Sequence, residues 1–301
     1  MNKTRIAWTR TLAASLALVA AGQMTAEAGV IRHDRADSLY TSLAASAEYS
    51  GVGDMIINGN TRCSGTAISS NWVLTAAHCV DGPISSLTFT VGSSTYTGIN
   101  QIVHENWTTD LAAGWDIALV QVGSAMSGIT IASLYTGSNE LGEVGTNVGF
   151  GRTGTGLTGS TLNSGTKRAG DNMIDVTGLA IGWSDNLLLQ DFDNPLTTGD
   201  SFFGLASPLN MEYLIAPGDS GGGLFIDVGG TRYLAGVHSL IAWADGTGNS
   251  DYGDIAGSTR VSSFVGWIDD KINPIPEPGT LALVGLGLLL LSSRTFARPA
   301  V

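Results

Sequence analysis

The chain has 301 residues and a net charge of −12, and 43% of its side chains are hydrophobic, too many for a disordered polymer. Residues 29–276 hold 24 acidic and 9 basic side chains, a balance that disfavours nucleic acid and anionic membrane surfaces as partners. That stretch, about 245 residues, can bury a sizeable core as one large all-β domain or two small lobes.

The first segment in chain order has Lys3, Arg5 and Arg10, then an uncharged run over Thr11–Ala26 and the small-residue site Ala26-Glu27-Ala28. This is the three-part pattern of a secretory signal peptide over residues 1–28. A membrane anchor is the other reading, but the apolar stretch is short for one. Export makes a disulfide possible between the only two cysteines, Cys63 and Cys79, with two free buried thiols as the alternative.

In the body, apolar runs are short and punctuated by Gly, Asn, Asp and Ser, as at 66–68, 72–75, 87–91, 117–122 and 233–237. Such punctuation predicts many short strands in an antiparallel barrel or sandwich. Residues 151–166, almost all Gly, Thr, Ser and Leu, read as an exposed loop or an inter-lobe linker. Val261, Phe264, Val265 and Ile268 recur at helical spacing and predict a terminal helix over 261–272. Asp245, Thr247, Asn249, Asp251 and Asp254 crowd one loop, which is either a calcium loop or a solvated acidic one. His33, His104 and His238 have no metal-ligand spacing and read as structural or exposed, so no metal site is expected. The chain closes with Pro276-Glu277-Pro278-Gly279-Thr280, an apolar run over 281–291, then Arg294 and Arg298. That run is short of the roughly 18 apolar residues a membrane span needs, although a weak tail anchor remains a reading.

Three segments carry chemistry. Leu74-Thr75-Ala76-Ala77-His78-Cys79 ends an apolar run, Asp116-Ile117-Ala118-Leu119-Val120 begins one, and Gly218-Asp219-Ser220-Gly221-Gly222 is a flexible turn. A serine hydroxyl is a poor nucleophile until a histidine takes its proton, and a carboxylate must hold that histidine in one tautomer. Flanking glycines let backbone N–H groups converge where an oxyanion would form. Singly, each segment is an ordinary turn or strand end; their joint occurrence in the order His, Asp, Ser is far more specific.

With these segments, residues 31–272 resemble the trypsin-like (chymotrypsin-fold) serine protease family. The resemblance implies an all-β fold of two antiparallel six-stranded β-barrels with a C-terminal helix. It implies a domain over 29–275 that cuts protein or peptide substrates as a monomer without cofactor. By it His78 is general base then acid, Asp116 orients it, Ser220 is the nucleophile, and the N–H groups of Gly218 and Ser220 form the oxyanion hole. Cys63 and Cys79 match the disulfide beside the catalytic histidine, and Ser239 matches the serine bonded to the triad aspartate. The specificity pocket falls at Leu214, Ile215, Ser239 and Leu240, which predicts an uncharged, apolar or small side chain before the cut; Glu212 lies close enough to blur that register. The family's other disulfides are missing, with Ala216 and Pro217 where one would stand. The start Ile-Val-Gly-Gly is also missing, Val30-Ile31 being the nearest match. In the family the freed N-terminal amine pairs with the acid before the nucleophile, here Asp219. Cleavage after Ala28 would expose Gly29, which predicts either a further trim to Ile31 or competence without the pair.

The tail resembles the PEP-CTERM sorting signal of Gram-negative bacteria, which an exosortase recognises and removes. Residues 276–301 are then a sorting tail, processing involves signal peptidase and exosortase, and the product is secreted or held at the cell surface or matrix. Gly218-x-Ser220-x-Gly222 also fits an α/β-hydrolase elbow, but Asp227 and His238 follow too closely to leave room for that fold. A trypsin-fold binding or matrix protein without activity is the remaining alternative.

Overall fold

The structure is a computed structural model that describes residues 29–243 and 246–274. Both the signal segment and the sorting tail lie outside the described residues.

The chain enters through a short strand, β1 (Gly29–Ile31), and a two-turn helix, α1 (Asp37–Ala44). Six strands then follow: β2 (Val52–Ile57), β3 (Thr61–Ala67), β4 (Trp72–Thr75), β5 (Leu87–Val91), β6 (Ser94–Val103) and β7 (Ala118–Val122). They close a barrel in the order β2-β3-β4-β7-β6-β5. The two-residue side-chain period makes it possible: Leu87, Phe89 and Val91 are buried while Thr88 and Thr90 lie between them.

The second lobe comprises β8 (Ser133–Leu134), β9 (Val144–Gly149), β10 (Thr153–Thr155), β11 (Gly159–Leu162), β12 (Arg168–Met173), β13 (Val176–Thr177), β14 (Leu187–Asp191), β15 (Tyr213–Leu214), β16 (Gly223–Val228), β17 (Thr231–Ala242) and β18 (Ile255–Arg260). Its main sheet runs β12-β9-β16-β17-β18-β14-β13, with β8 beside β17. The two lobes and terminal helix are those expected, but this second sheet is a half-barrel rather than a closed six-stranded one. Its seam is bridged by side-chain amides: Asn172 Nδ2 donates to Asp191 O (2.7 Å) and Tyr213 O (3.0 Å), and Gln190 Nε2 donates to Asn172 O (3.0 Å). Buried amides placed this way satisfy carbonyls that a backbone ladder would otherwise have to reach.

The stretch 151–166 is not a linker. It forms the hairpin β10–β11, which continues through β1 to β15 as a four-stranded sheet. β1 pairs in parallel with β10 and antiparallel with β15. Helix α1 was not apparent in the sequence because its eight residues bury only Tyr40 and Ala44. It is docked by Arg168, whose Nε and Nη2 meet the two oxygens of Asp37 at 2.5 and 2.8 Å, a forked charge-assisted pair. After a 3₁₀ turn at Val261–Ser263, helix α2 (Val265–Ile272) packs on the first lobe. There Phe264 meets Trp115 and His104, the latter stacked on Trp115 at 4.9 Å.

Candidate active site

His78 sits on a single 3₁₀ turn, Ala77–Cys79, that ends β4, and Asp116 directly precedes Ile117 and β7. β4 and β7 are antiparallel neighbours with Thr75 opposite Ala118, so the barrel brings both residues to one edge. His78 Nδ1 lies 2.7 Å from Asp116 Oδ2, and the His78 backbone N–H donates to Asp116 Oδ1 at 2.9 Å. Ser239 Oγ donates to Oδ2 at 2.6 Å, and Thr259 Oγ1 donates to the Asp116 carbonyl at 2.9 Å. Asp116 is fully buried. A carboxylate so placed makes Nδ1 the protonated ring nitrogen and leaves the Nε2 lone pair available.

Ser220 ends the turn that leads into β16. Its carbonyl accepts from Ser64 N at 2.7 Å, and the Gly218 carbonyl accepts from Ser64 Oγ at 3.0 Å. Cys63 and Cys79 form a disulfide, and Cys79 Sγ rests 3.8 Å from the Ser220 carbonyl oxygen. The bridge therefore holds the residue after His78 against the backbone of Ser220. The sulfurs and His78 are close enough for a metal group, but disulfide sulfurs offer no thiolate, so this is not a metal site. On the other side, Gly221 N donates to His238 O (2.8 Å) and His238 N to Gly222 O (2.9 Å). Since Ser239 follows His238, one stretch of β17 grips both the serine turn and Asp116.

Gly218 has φ of 101°, a left-handed conformation that glycine tolerates and other residues rarely adopt. Among the described residues, the N–H groups of Gly218 and Ser220 have no hydrogen-bond partner, as donors reserved for a ligand would. Asp219 points the other way, into the second lobe. Its Oδ1 accepts from Gly151 N and its Oδ2 from Ala216 N, both at 2.8 Å, while Tyr213 OH reaches Oδ2 at 3.4 Å. Burial pushes its carboxyl up to about 6 despite those donors. Gly151 and Tyr213 escaped the sequence reading, since no local motif marks them, and His238 reads there only as structural or exposed. His238 is buried and held down to about 3 by desolvation, so it is neutral. His33 bonds Tyr252 and His104 is stacked.

Leu214 and Ile215 are buried in the cluster that receives Val30 and Ile31. Ser239 lines a cavity of about 260 Å³ with His78, Trp107 and Leu111. Leu240 lines an adjoining one of about 440 Å³ with Leu111, Trp183 and Trp243. Leu214 and Ile215 line neither, so the two halves of the expected pocket lie apart. The acids at these walls are engaged: Asp81 accepts from Trp107 Nε1, and Asp110 caps the turn at Leu111–Ala113. Glu212 borders a separate cavity. In the loop after Gly246, Asp254 accepts from Ser250 N and Asp251 from Asn249; Asp245 lies outside the described residues.

Two β-lobes, a half-exposed histidine paired with a buried aspartate, and a glycine-flanked serine turn define a trypsin-like class of protein. Residues 44–268 match the trypsin family, and the chain belongs to it. Residues 274–298 match the PEP-CTERM protein-sorting motif. Chymotrypsin-like elastase family member 1 of Macaca fascicularis is 28% identical over 234 residues, covering 70% of this chain and 78% of that protein. Fibrinolytic enzyme isozyme C of Lumbricus rubellus is 29% identical over 232 residues, covering 69% and 88%. A solved structure of HL collagenase superposes with a TM-score of 0.58 at 21% identity, covering 82% of this chain and 98% of that one, which supports the fold.

Proposed function

We propose that the chain is an exported bacterial serine endopeptidase in which Ser220, His78 and Asp116 form the catalytic triad. The observation that carries the reading is the Asp116 carboxylate, which is buried and accepts from the His78 ring, the His78 backbone and Ser239 at once. Ser220 Oγ attacks the substrate carbonyl carbon while its proton passes to His78 Nε2, and the carbonyl π electrons move onto oxygen. The N–H groups of Gly218 and Ser220 receive that oxyanion. Collapse re-forms the carbonyl and breaks the C–N bond, and His78 gives its proton to the departing amine. Water then repeats the sequence: His78 takes its proton, hydroxide adds to the ester, and Ser220 leaves reprotonated. Asp116 keeps the imidazolium oriented and neutralised throughout, and no metal or cofactor enters.

Trp183, Leu240, Ile241 and Trp243 give the cavity beyond Ser239 a largely apolar wall, which supports preference for an uncharged, apolar or small side chain before the cut. The sorting motif supports export and surface sorting by way of an exosortase. The test is a peptide-library profile on purified residues 29–275. Cleavage after apolar or small residues is expected; selectivity for Arg or Lys would refute the specificity. No cleavage of any sequence would leave a trypsin-fold binding protein.

A further inference from the structure

Asp219 stands between Gly218 and Ser220, whose N–H groups face the oxyanion position, so whatever anchors Asp219 also aims them. Its carbonyl belongs to the peptide that carries the Ser220 N–H and accepts from Gly222 N at 2.7 Å, while its own N–H donates to Ala216 O at 2.9 Å. The Pro217 carbonyl, in the peptide that carries the Gly218 N–H, accepts from Arg152 N at 2.8 Å. Donors of this kind stabilise an oxyanion best when they are fixed before the charge develops.

The Asp219 side chain is fully buried, and its oxygens accept from three uncharged donors: Gly151 N, Ala216 N and the hydroxyl of Tyr213. A Cβ on Gly149 would lie 2.2 Å from Oδ1 and one on Gly151 2.7 Å from Cγ, so these walls admit the carboxyl because they are glycine. Burial raises the carboxyl to about 6, and the three donors with the field of Arg168 oppose the rise, so at neutral pH it is ionised and the donors are matched to its charge. Tyr213 is itself fully buried, and burial beside Asp219 holds its hydroxyl well above the usual phenol value, which keeps it a donor.

The same hydroxyl touches the chain start. A Cβ on Gly29 would lie 1.8 Å from it, so the phenol fills the space that a side chain at residue 29 would need. The pairing of β1 with β15, Val30 opposite Leu214 and Ile31 opposite Tyr213, fixes this contact. In the full chain Gly29 is joined to Ala28 by a peptide bond, so its nitrogen is an uncharged amide. The three donors thus hold Asp219 in place with no ammonium from the chain start.

We propose that Tyr213 is a positioning residue that holds Asp219, and through it both oxyanion donors, in the competent arrangement whether or not the chain start carries a free amine. It fills the role that the trypsin-like resemblance gives to the amine. This role rests on the protease reading of Ser220, and the experiment separates the two.

The full-length gene is expressed with and without a Ser-Thr insert between Ala28 and Gly29, and N-terminal sequencing of the exported protein confirms each start. The readouts are the rate of organophosphonate labelling at Ser220, and kcat and KM on a cleaved peptide. The insert form should keep its labelling rate and kcat/KM within about threefold of the form that starts at Gly29. Tyr213→Phe, which removes only the hydroxyl, should lower kcat and the labelling rate by about tenfold or more, the scale of a hydrogen bond to a charged group, with KM within about twofold. A residue that only supported the fold would lower Tm and leave the kcat of the folded protein unchanged. No labelling of the Gly29 form overturns the protease reading and this role with it. Labelling of the Gly29 form with a loss of about tenfold or more in the insert form overturns the role of Tyr213 alone, because the amine is then required. A folded Tyr213→Phe with unchanged kcat does the same, and if that variant does not fold, the insert form decides.

Discussion

Asp116 receives three hydrogen bonds while fully buried, so its substitution should act through His78 rather than through folding alone. Asp116→Asn should lower kcat roughly 10⁴-fold, because an amide favours the wrong imidazole tautomer. Ser220→Ala and His78→Ala should each cost roughly 10⁶-fold, and the double variant should be barely worse, since the two act as one unit. Steady-state kinetics on a peptide found by the library, with phosphonate labelling of Ser220, checks all of this. Additive losses, or ordinary turnover by Ser220→Ala, would sink the triad. At this scale the His78–Asp116 pairing was legible, because each of the two sits in a short recognisable segment. The sequence was not legible where partners come from afar. The cage around Asp219 draws on Gly151, 68 residues away, and His238 acts through its backbone, which no side-chain pattern reports.

Among the elements, the disulfide and β1 carry the sharpest expectations. Cys63 and Cys79 close a loop over a separation of 16 residues, so replacing both by serine should cost about 3 kcal/mol. For a domain of this size that is a fall of roughly 6–12 °C in Tm, measurable by calorimetry. Activity should fall further than stability explains, because Cys79 backs the Ser220 carbonyl at 3.8 Å. A variant with unchanged kcat/KM would show that the serine turn stands without the bridge. β1 revises the expectation about the mature start. Val30 is fully buried, and Gly29 packs so tightly that an added Cβ would lie 1.8 Å from Tyr213 OH, whose own partner is Asp219. A chain starting at Ile31 loses the Gly29 and Val30 rungs to β10 and the Val30 rung to β15. Burial of Val30 alone is worth roughly 1.5–3 kcal/mol, so the chain starting at Gly29 should melt higher and be the more active of the two. Higher activity from the Ile31 form would restore the further trim. The β1 sheet was hidden because residues 151–166 have the composition of a loop. Their strand character comes from pairing with β1, a tertiary effect that outweighs weak local preference.

For the whole molecule, the PEP-CTERM motif at 274–298 predicts a mature product lacking residues from Leu281 onward. Intact mass from the native host decides it, and a mass that includes Val301 would favour a retained anchor. The buried titratable groups predict how the folded body responds to pH. Asp175, Asp193, Asp219 and Glu212 are raised to about 7, 6, 6 and 9 from 3.8 or 4.5, chiefly by burial. The folded chain binds these protons more tightly than the unfolded one. Their contribution is therefore complete below the unfolded values and is lost as pH climbs through the folded ones. His238 works oppositely: burial lowers it from 6.5 to about 3, so the unfolded chain binds its proton more tightly and acidification below the unfolded value costs stability. Between about pH 4 and 6 the four raised acids outweigh the one lowered histidine, so Tm should be highest near about pH 3 to 4 and decline steadily toward about pH 9. Glu212→Gln, which keeps the shape and removes the highest of the raised acids, should flatten the alkaline limb without moving the acid one. Thermal melts at fixed ionic strength test both statements. A Tm that rises from mildly acidic to alkaline pH, or an alkaline limb unchanged in Glu212→Gln, would mean that these carboxyls find cationic partners in the folded protein.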